Sequence, residues 1–150
     1  MRQFLLNGWS FGLGLGLIPV APGTFGTLLA IPIGWLMIAS SFRWLLFLFL
    51  LLLSVYACSY TMKVLNKHDP KQIVSDEVIG MLLLILLIKP VVWSMWVMCF
   101  VLFRLYDIWK PWPICWVDNN VENAFGVMLD DLIAALFAFI SIKVMLVFWS

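Results

Sequence analysis

Trp44-Leu-Leu-Phe-Leu-Phe-Leu-Leu-Leu-Leu-Ser-Val-Tyr-Ala-Cys-Ser-Tyr-Thr-Met62 carries no charged side chain over the ~20 residues that one membrane crossing requires. In lipid, an open segment satisfies its own backbone donors and acceptors only as a helix. A second long apolar segment, Gly126–Phe148, is interrupted by Asp130 and Asp131 near its start and by Lys143 further on. The chain of 150 residues is 65% hydrophobic and 11% charged, with a mean hydropathy of +1.08. A soluble domain of this size cannot bury that much apolar surface. A formal net charge of +1 gives no field that would favour nucleic acid as a partner.

Towards the N-terminus, Gly12-Leu-Gly-Leu-Gly-Leu-Ile-Pro-Val-Ala-Pro-Gly-Thr-Phe-Gly-Thr27 is apolar yet rich in glycine and proline. Pro19 and Pro22 prevent a continuous helix, and a helix is expected from near Thr24 to about Ala39. Residues 1–12 read as a short interfacial piece, with Trp9 and Phe11 at headgroup level. Met1-Arg2-Gln3-Phe4 is a poor signal-peptide start with no convincing cleavage site after it, so this segment is expected to stay in the mature protein. Cys58, Cys99 and Cys115 are far apart in apolar surroundings and read as packing residues.

Lys89-Pro90 divides Val78–Ile88 from Val91–Phe103. A single kinked helix of about 26 residues, about 39 Å long, and a hairpin of two short helices both fit the pattern. The hairpin keeps the polar segments 63–77 and 104–125 on one side, with Lys63, Lys67, Lys71, Arg104, Lys110 and Arg2, and leaves Arg43, Lys89 and Lys143 opposite. The positive-inside rule then turns the polar face towards the cytoplasm. The expected fold is all-α: one domain over residues 1–150, a polytopic membrane helix bundle with a Gly/Pro-broken first segment and a short helical hairpin.

All eight carboxylates fall in three groups, Asp69/Asp76/Glu77, Asp107/Asp118/Glu122 and Asp130/Asp131. Acids at the edge of a span are costly unless they are paired, hydrated or bound to a cation. Asp130 and Asp131 lie inside an apolar helix and project about 100° apart, which points to a divalent-cation site. Carboxylates without a histidine or thiolate cluster suit Mg²⁺. Arg104, Asp107 and Lys110 repeat an i, i+3 spacing that lets them share one helix face, which ends at Pro111 and Pro113. Pro22-Gly-Thr-Phe-Gly-Thr27 places Gly23, Thr24 and Thr27 at a helix N-terminus, where free N–H groups attract phosphate; Thr24 also fits an N-cap. Trp109, Trp112 and Trp116 read as interfacial anchors.

Several phosphatase chemistries are absent. No Cys-x5-Arg occurs, His68 is the only histidine, and there is neither an Asp-x-Asp pair nor an Asp-x2-Asp-Gly start. Four segments in order resemble the phosphatidylglycerophosphatase A family: Gly16–Pro32, His68–Met81, Phe103–Ile114 and Gly126–Ala135. The resemblance implies a Mg²⁺-dependent enzyme of the bacterial inner membrane that hydrolyses the terminal phosphate of phosphatidylglycerophosphate. Carried onto this chain, it implies catalytic roles for His68, Arg104, Asp107 and Lys110, and substrate contacts from Gly23, Thr24, Thr27 and Asp69. Asp76, Glu77, Asp130 and Asp131 would hold the metal. Asp118 also belongs to the pattern.

The chain departs from the family at Cys115, where arginine is common, and at Asn119-Asn-Val-Glu-Asn-Ala124, which lacks two basic residues and a glycine pair. Glu122 is left with the least claim to a role. The alternative reading is a small ion- or solute-conducting membrane protein with a re-entrant loop, which does not explain why acids and bases gather at one face; a third, a non-catalytic subunit of a membrane complex, leaves Asp130 and Asp131 without a reason.

Overall fold

A computed structural model describes residues 2–67 and 70–149. Its helices are α1 (Arg2–Ser10), α2 (Pro22–Ile38), α3 (Arg43–Leu65), α4 (Ser75–Ile88), α5 (Trp93–Trp109), α6 (Ile114–Asn120) and α7 (Ala124–Trp149), with a 3-10 turn at Gly12–Leu17. Among the described residues there is no strand. Two helices, α3 and α7, are long and apolar enough to cross a membrane. Their outer faces leave large apolar side chains exposed, including Leu45, Phe49, Leu52 and Ile140, an arrangement that lipid stabilises and water does not.

The centre of the bundle is α4. Val78, Ile79, Met81, Leu82, Leu84, Ile85 and Leu86 are all essentially inaccessible, because α2, α3, α5 and α7 all pack around this helix. Its 14 residues extend about 21 Å, less than the ~30 Å hydrocarbon core. Lys89 ends it in a left-handed conformation with its N–H bonded to Ile85 O, and the chain turns at Pro90 into α5. Gly80 of α4 lies against Phe103 near the far end of α5, so the two helices run antiparallel. The hairpin is therefore present, and both polar segments reach the same end of the molecule. At the opposite end, Arg43 donates to Ile38 O at 3.2 Å, and Lys89 shares an apolar cleft with Trp35 and Ile38.

Two expected boundaries move. Ala21 takes left-handed φ/ψ, so Pro22 rather than Thr24 begins α2; a proline suits this first helical position because its missing N–H would have had no partner there. The polar segment 104–125 holds, beyond the helical end of α5 that the Arg104, Asp107 and Lys110 spacing predicts, all of the unexpected α6. Trp9 is also tied inward: its indole N–H donates to Ser54 Oγ at 2.8 Å. Thr61 Oγ donates at 3.0 Å to Asn7 Oδ1 and lies 3.1 Å from Ser10 Oγ. Val74 N–H donates to Ser10 O at 2.9 Å. These bonds hold α1 on α3 and fix the segment that leads into α4.

Close approach is made possible by small residues. Gly23, Gly26, Ala30 and Gly34 form a buried stripe on α2 facing α4 and its leading segment, as is usual where helix backbones come together in lipid. At Gly80 a Cβ would lie 2.8 Å from the Phe103 ring and 2.9 Å from Asp131 O. Gly80→Ala is therefore expected to force α4 away from α7, at a cost of about 1–3 kcal/mol. A thermal melt of the purified variant in detergent would read this as a lowered midpoint; an unchanged midpoint would refute the close contact.

Candidate active site

The N-terminus of α2, the first turn of α4, the end of α5, α6 and the first turns of α7 enclose a cavity of about 240 Å³. Among the described residues six carboxylates line it, Asp76, Glu77, Asp107, Asp118, Asp130 and Asp131, against three cations, Lys71, Arg104 and Lys110. The helices explain how the acids get there. Asp76 and Glu77 occupy the first turn of α4, where the helix dipole favours negative charge. Asp131 lies seven residues into α7, about 10 Å from its start, and α4 meets α7 at this depth.

The floor is formed by Asp76, Glu77 and Asp131, which offer ligand oxygens within 4.8 Å of one another. Asp76 is 8% and Asp131 3% exposed. Glu77 Oε2 and Asp131 Oδ1 are buried and receive no hydrogen bond from the described residues. Like charges at this separation repel strongly in a medium of low dielectric, so the arrangement suits a cation placed among them. An all-oxygen donor set can hold a hard divalent ion.

Each wall carries an ion pair. Arg104 Nη1 donates to Asp107 Oδ2, while Arg104 Nε is buried and has no partner among the described residues. Lys110 ends α5 in a left-handed conformation, which swings it off the face that Arg104 and Asp107 share. Its ammonium group instead donates to Asp118 Oδ1 at 2.6 Å and to Asp130 Oδ2 at 2.7 Å, tying α5, α6 and α7 together. Burial disfavours the Lys110 charge, but the hydrogen bonds and charges of the two aspartates outweigh it and hold the pKa above the ordinary lysine value.

Gly23 completes the enclosure. A Cβ there would lie 2.1 Å from Glu77 Oε1 and 3.1 Å from Arg104 Nη1, so glycine lets the start of α2 close over both groups.

The structure thus brings together Gly23, Asp76, Glu77, Arg104, Asp107, Lys110, Asp130 and Asp131 from the sequence-predicted set. Asp130 faces Lys110 rather than the group on the floor. Thr24 and Thr27 are not among the lining residues. Thr27 is fully buried and donates to Gly23 O at 2.9 Å, so its hydroxyl serves the helix. His68 and Asp69 lie outside the described residues, and Glu122 does not line the cavity.

Sequence reasoning gave no role to Lys71 or Asp118. Asp118 was visible as one member of an acidic group and as a position of the family pattern, without a role, and Lys71 only as a loop charge. Asn123 was also missed: its Oδ1 accepts from Gly126 N–H at 2.9 Å at the start of α7. An Asn three residues before a glycine at a helix start was the available signal.

The profile of the family described as Phosphatidylglycerophosphatase A matches residues 8–146. A Phosphatidylglycerophosphatase A of Escherichia coli (strain K12) is 40% identical over 140 residues, covering 89% of this chain and 80% of that protein. One of the same name from Haemophilus influenzae is 37% identical over 132 residues, covering 86% and 81%. A Bacteroides thetaiotaomicron protein, provisionally named a phosphatidylinositol-3-phosphatase, is 32% identical over 142 residues, covering 89% and 88%. No solved structure matches the chain.

The Lys110 clamp generates a graded prediction. Asp130 is 8% exposed at its side chain and Asp118 36%. Removing the lysine strands a buried charge, whereas removing Asp118 leaves the Asp130 pair intact. Lys110→Met is expected to cost about 2–3 kcal/mol, with partial exposure discounting the buried-pair figure. Asp118→Asn is expected to cost under about 1 kcal/mol. Because the folded pKa of Lys110 is raised, this stabilisation is complete below the ordinary lysine value of about 10.4 and is lost only as pH rises through the folded value. Unfolding of both variants and the wild type at neutral and alkaline pH checks this order; equal costs for the two variants would contradict it.

Proposed function

This chain belongs to the phosphatidylglycerophosphatase A family, and from that membership we propose that it hydrolyses phosphatidylglycerophosphate to phosphatidylglycerol and phosphate at the carboxylate-lined cavity. The protein is a phosphatase associated with a membrane, and the conducting-protein reading is set aside by the family assignment. The observation that carries the site is the meeting of Asp76, Glu77 and Asp131 beside the Arg104–Asp107 pair.

The residues on the floor fit Mg²⁺. Their donors are all carboxylate oxygens, and two of those oxygens are buried with no donor among the described residues. Asp76, Glu77 and Asp131 would hold the ion. When bound, it would supply charge to the phosphoryl oxygens and lower the pKa of an attacking water.

The chain's own groups do the rest. Asp107 holds the Arg104 guanidinium at the cavity wall, where its planar fork meets the oxygens of the transferring phosphoryl group. Lys110 offsets part of the charge of Asp130 and Asp118, which weakens the wall's repulsion of a dianionic headgroup. The start of α2, closed over Glu77 by Gly23, excludes water from one side. The diacyl tails stay in the bilayer while the headgroup enters the cavity. The bundle is polytopic in this reading, lies in the bacterial inner membrane, and opens its site to the cytoplasm.

Release of inorganic phosphate by the purified protein, with and without Mg²⁺, tests the activity, with phosphatidylinositol 3-phosphate as the competing substrate. Turnover of phosphatidylglycerophosphate that requires Mg²⁺ is expected; faster turnover of the inositol lipid would replace the substrate assignment. Asp131→Asn keeps the size and removes one charge, so it should abolish Mg²⁺-stimulated turnover in protein that still folds. Near-normal activity in that variant would move the metal elsewhere.

Arg104→Lys exchanges a fork of donors for a point charge. At saturating Mg²⁺ it should lower kcat by about 10²-fold, and kcat/KM with it. A raised KM at normal kcat would assign Arg104 to headgroup binding alone.

A further inference from the structure

Of the three cations that line the cavity among the described residues, Arg104 is engaged by Asp107 and Lys110 by Asp118 and Asp130. Lys71 is the third, and among the described residues it makes no ion pair. It precedes α4 in the turn that carries the chain from α3, and it is exposed where Asp76 and Asp131 are buried. Lys71 therefore stands at the mouth of the cavity, and the carboxylates stand on its floor.

The proposed substrate has two phosphates of different kinds. Its terminal monoester must reach the floor, where Asp76, Glu77 and Asp131 are, beside Arg104 on the wall. Its internal diester lies one glycerol unit back, between that monoester and the acyl chains, and so remains near the mouth. A diester carries one negative charge. Among the described residues the cavity is lined by six carboxylates and three cations, an excess of negative charge that repels the diester wherever no free cation offsets it.

We infer that Lys71 binds the internal phosphodiester of the lipid, so that the enzyme recognises its substrate by two phosphates held at two depths. This rests on the phosphatidylglycerophosphatase reading and adds to it a residue for headgroup recognition. An ammonium group suits the task, because a diester near the water interface needs a mobile point charge more than a rigid fork. The contact is the same before and after hydrolysis, because the diester is unchanged by the reaction. Binding that is uniform along the reaction lowers KM without changing kcat.

The two products separate the possibilities, since phosphatidylglycerol keeps only the diester and inorganic phosphate corresponds only to the monoester. Lys71→Ala should raise KM for phosphatidylglycerophosphate about tenfold, the order expected for one charge-assisted hydrogen bond, and leave kcat within about twofold of wild type. Product inhibition by phosphatidylglycerol should weaken by the same factor, and inhibition by inorganic phosphate should not change. Lys71→Arg, which keeps the charge, should recover most of the affinity.

Weakened inhibition by inorganic phosphate would overturn the inference by moving Lys71 to the monoester. An unchanged KM would overturn it by leaving Lys71 a solvated loop residue. Equilibrium binding of short-chain phosphatidylglycerol to wild type and Lys71→Ala in detergent needs no turnover. Lys71-dependent binding by a protein that does not hydrolyse phosphatidylglycerophosphate would fault the functional reading and leave this one standing. Binding indifferent to Lys71 would sink this inference, whatever the activity.

Discussion

Carboxylates of α4 and α7 are held within 4.8 Å of one another inside an apolar bundle, and most of the structure answers to that proximity. Ionised acids brought together away from water repel one another and lose hydration. A fold accepts the arrangement only where other groups offset the charge. Here part of the answer lies in the walls, where Arg104 meets Asp107 and Lys110 meets Asp118 and Asp130. The remainder falls on Glu77 and Asp131, whose buried oxygens lack a protein donor among the described residues. That remainder is the physical ground for proposing a metal.

Holding the acids together takes geometry as well as charge. Gly80 lets α4 touch both Phe103 and the Asp131 carbonyl, and Gly23 lets α2 reach Glu77 and Arg104. A methyl group at either position would occupy space already taken by backbone or by a site side chain. The glycines thus set the distance between helices, and with it the distance between charges. Upstream, the bonds from α1 to α3 and from Val74 to Ser10 hold the chain that enters α4, so the first turn with Asp76 and Glu77 is supported from both sides.

A gradient of burial runs from floor to mouth. Asp131 and Asp76 are almost inaccessible, while Lys71 is exposed. Hydrolysis of a lipid phosphate calls for this order. The reacting group must leave bulk water, but the tails remain in the membrane and the headgroup must enter and leave. Exposed apolar faces on α3 and α7 leave a surface suited to contact with lipid.

The sequence by itself determined the helical class, the apolar segments that became α3 and α7, a break at Lys89-Pro90 that fitted either a kink or a hairpin, and the stop at Pro111 and Pro113. These follow from local rules: length of an apolar run, loss of a donor at proline, and the need to satisfy backbone groups within a segment. It also marked most of the acids that line the cavity, because a carboxylate in apolar surroundings stands out along the chain. Only the tertiary structure decided which charge each group meets. The i, i+3 spacing suggested that Lys110 faced Asp107, but a left-handed residue at the end of α5 turned it to aspartates on α6 and α7. Thr27 looked like a phosphate ligand until its hydroxyl was found bonded within its own helix. Lys71 looked like any loop charge until the fold set it at the mouth of an acidic cavity. Partners of this kind are distant in sequence, and their meeting depends on helix packing and chain direction at a turn, which no local pattern encodes.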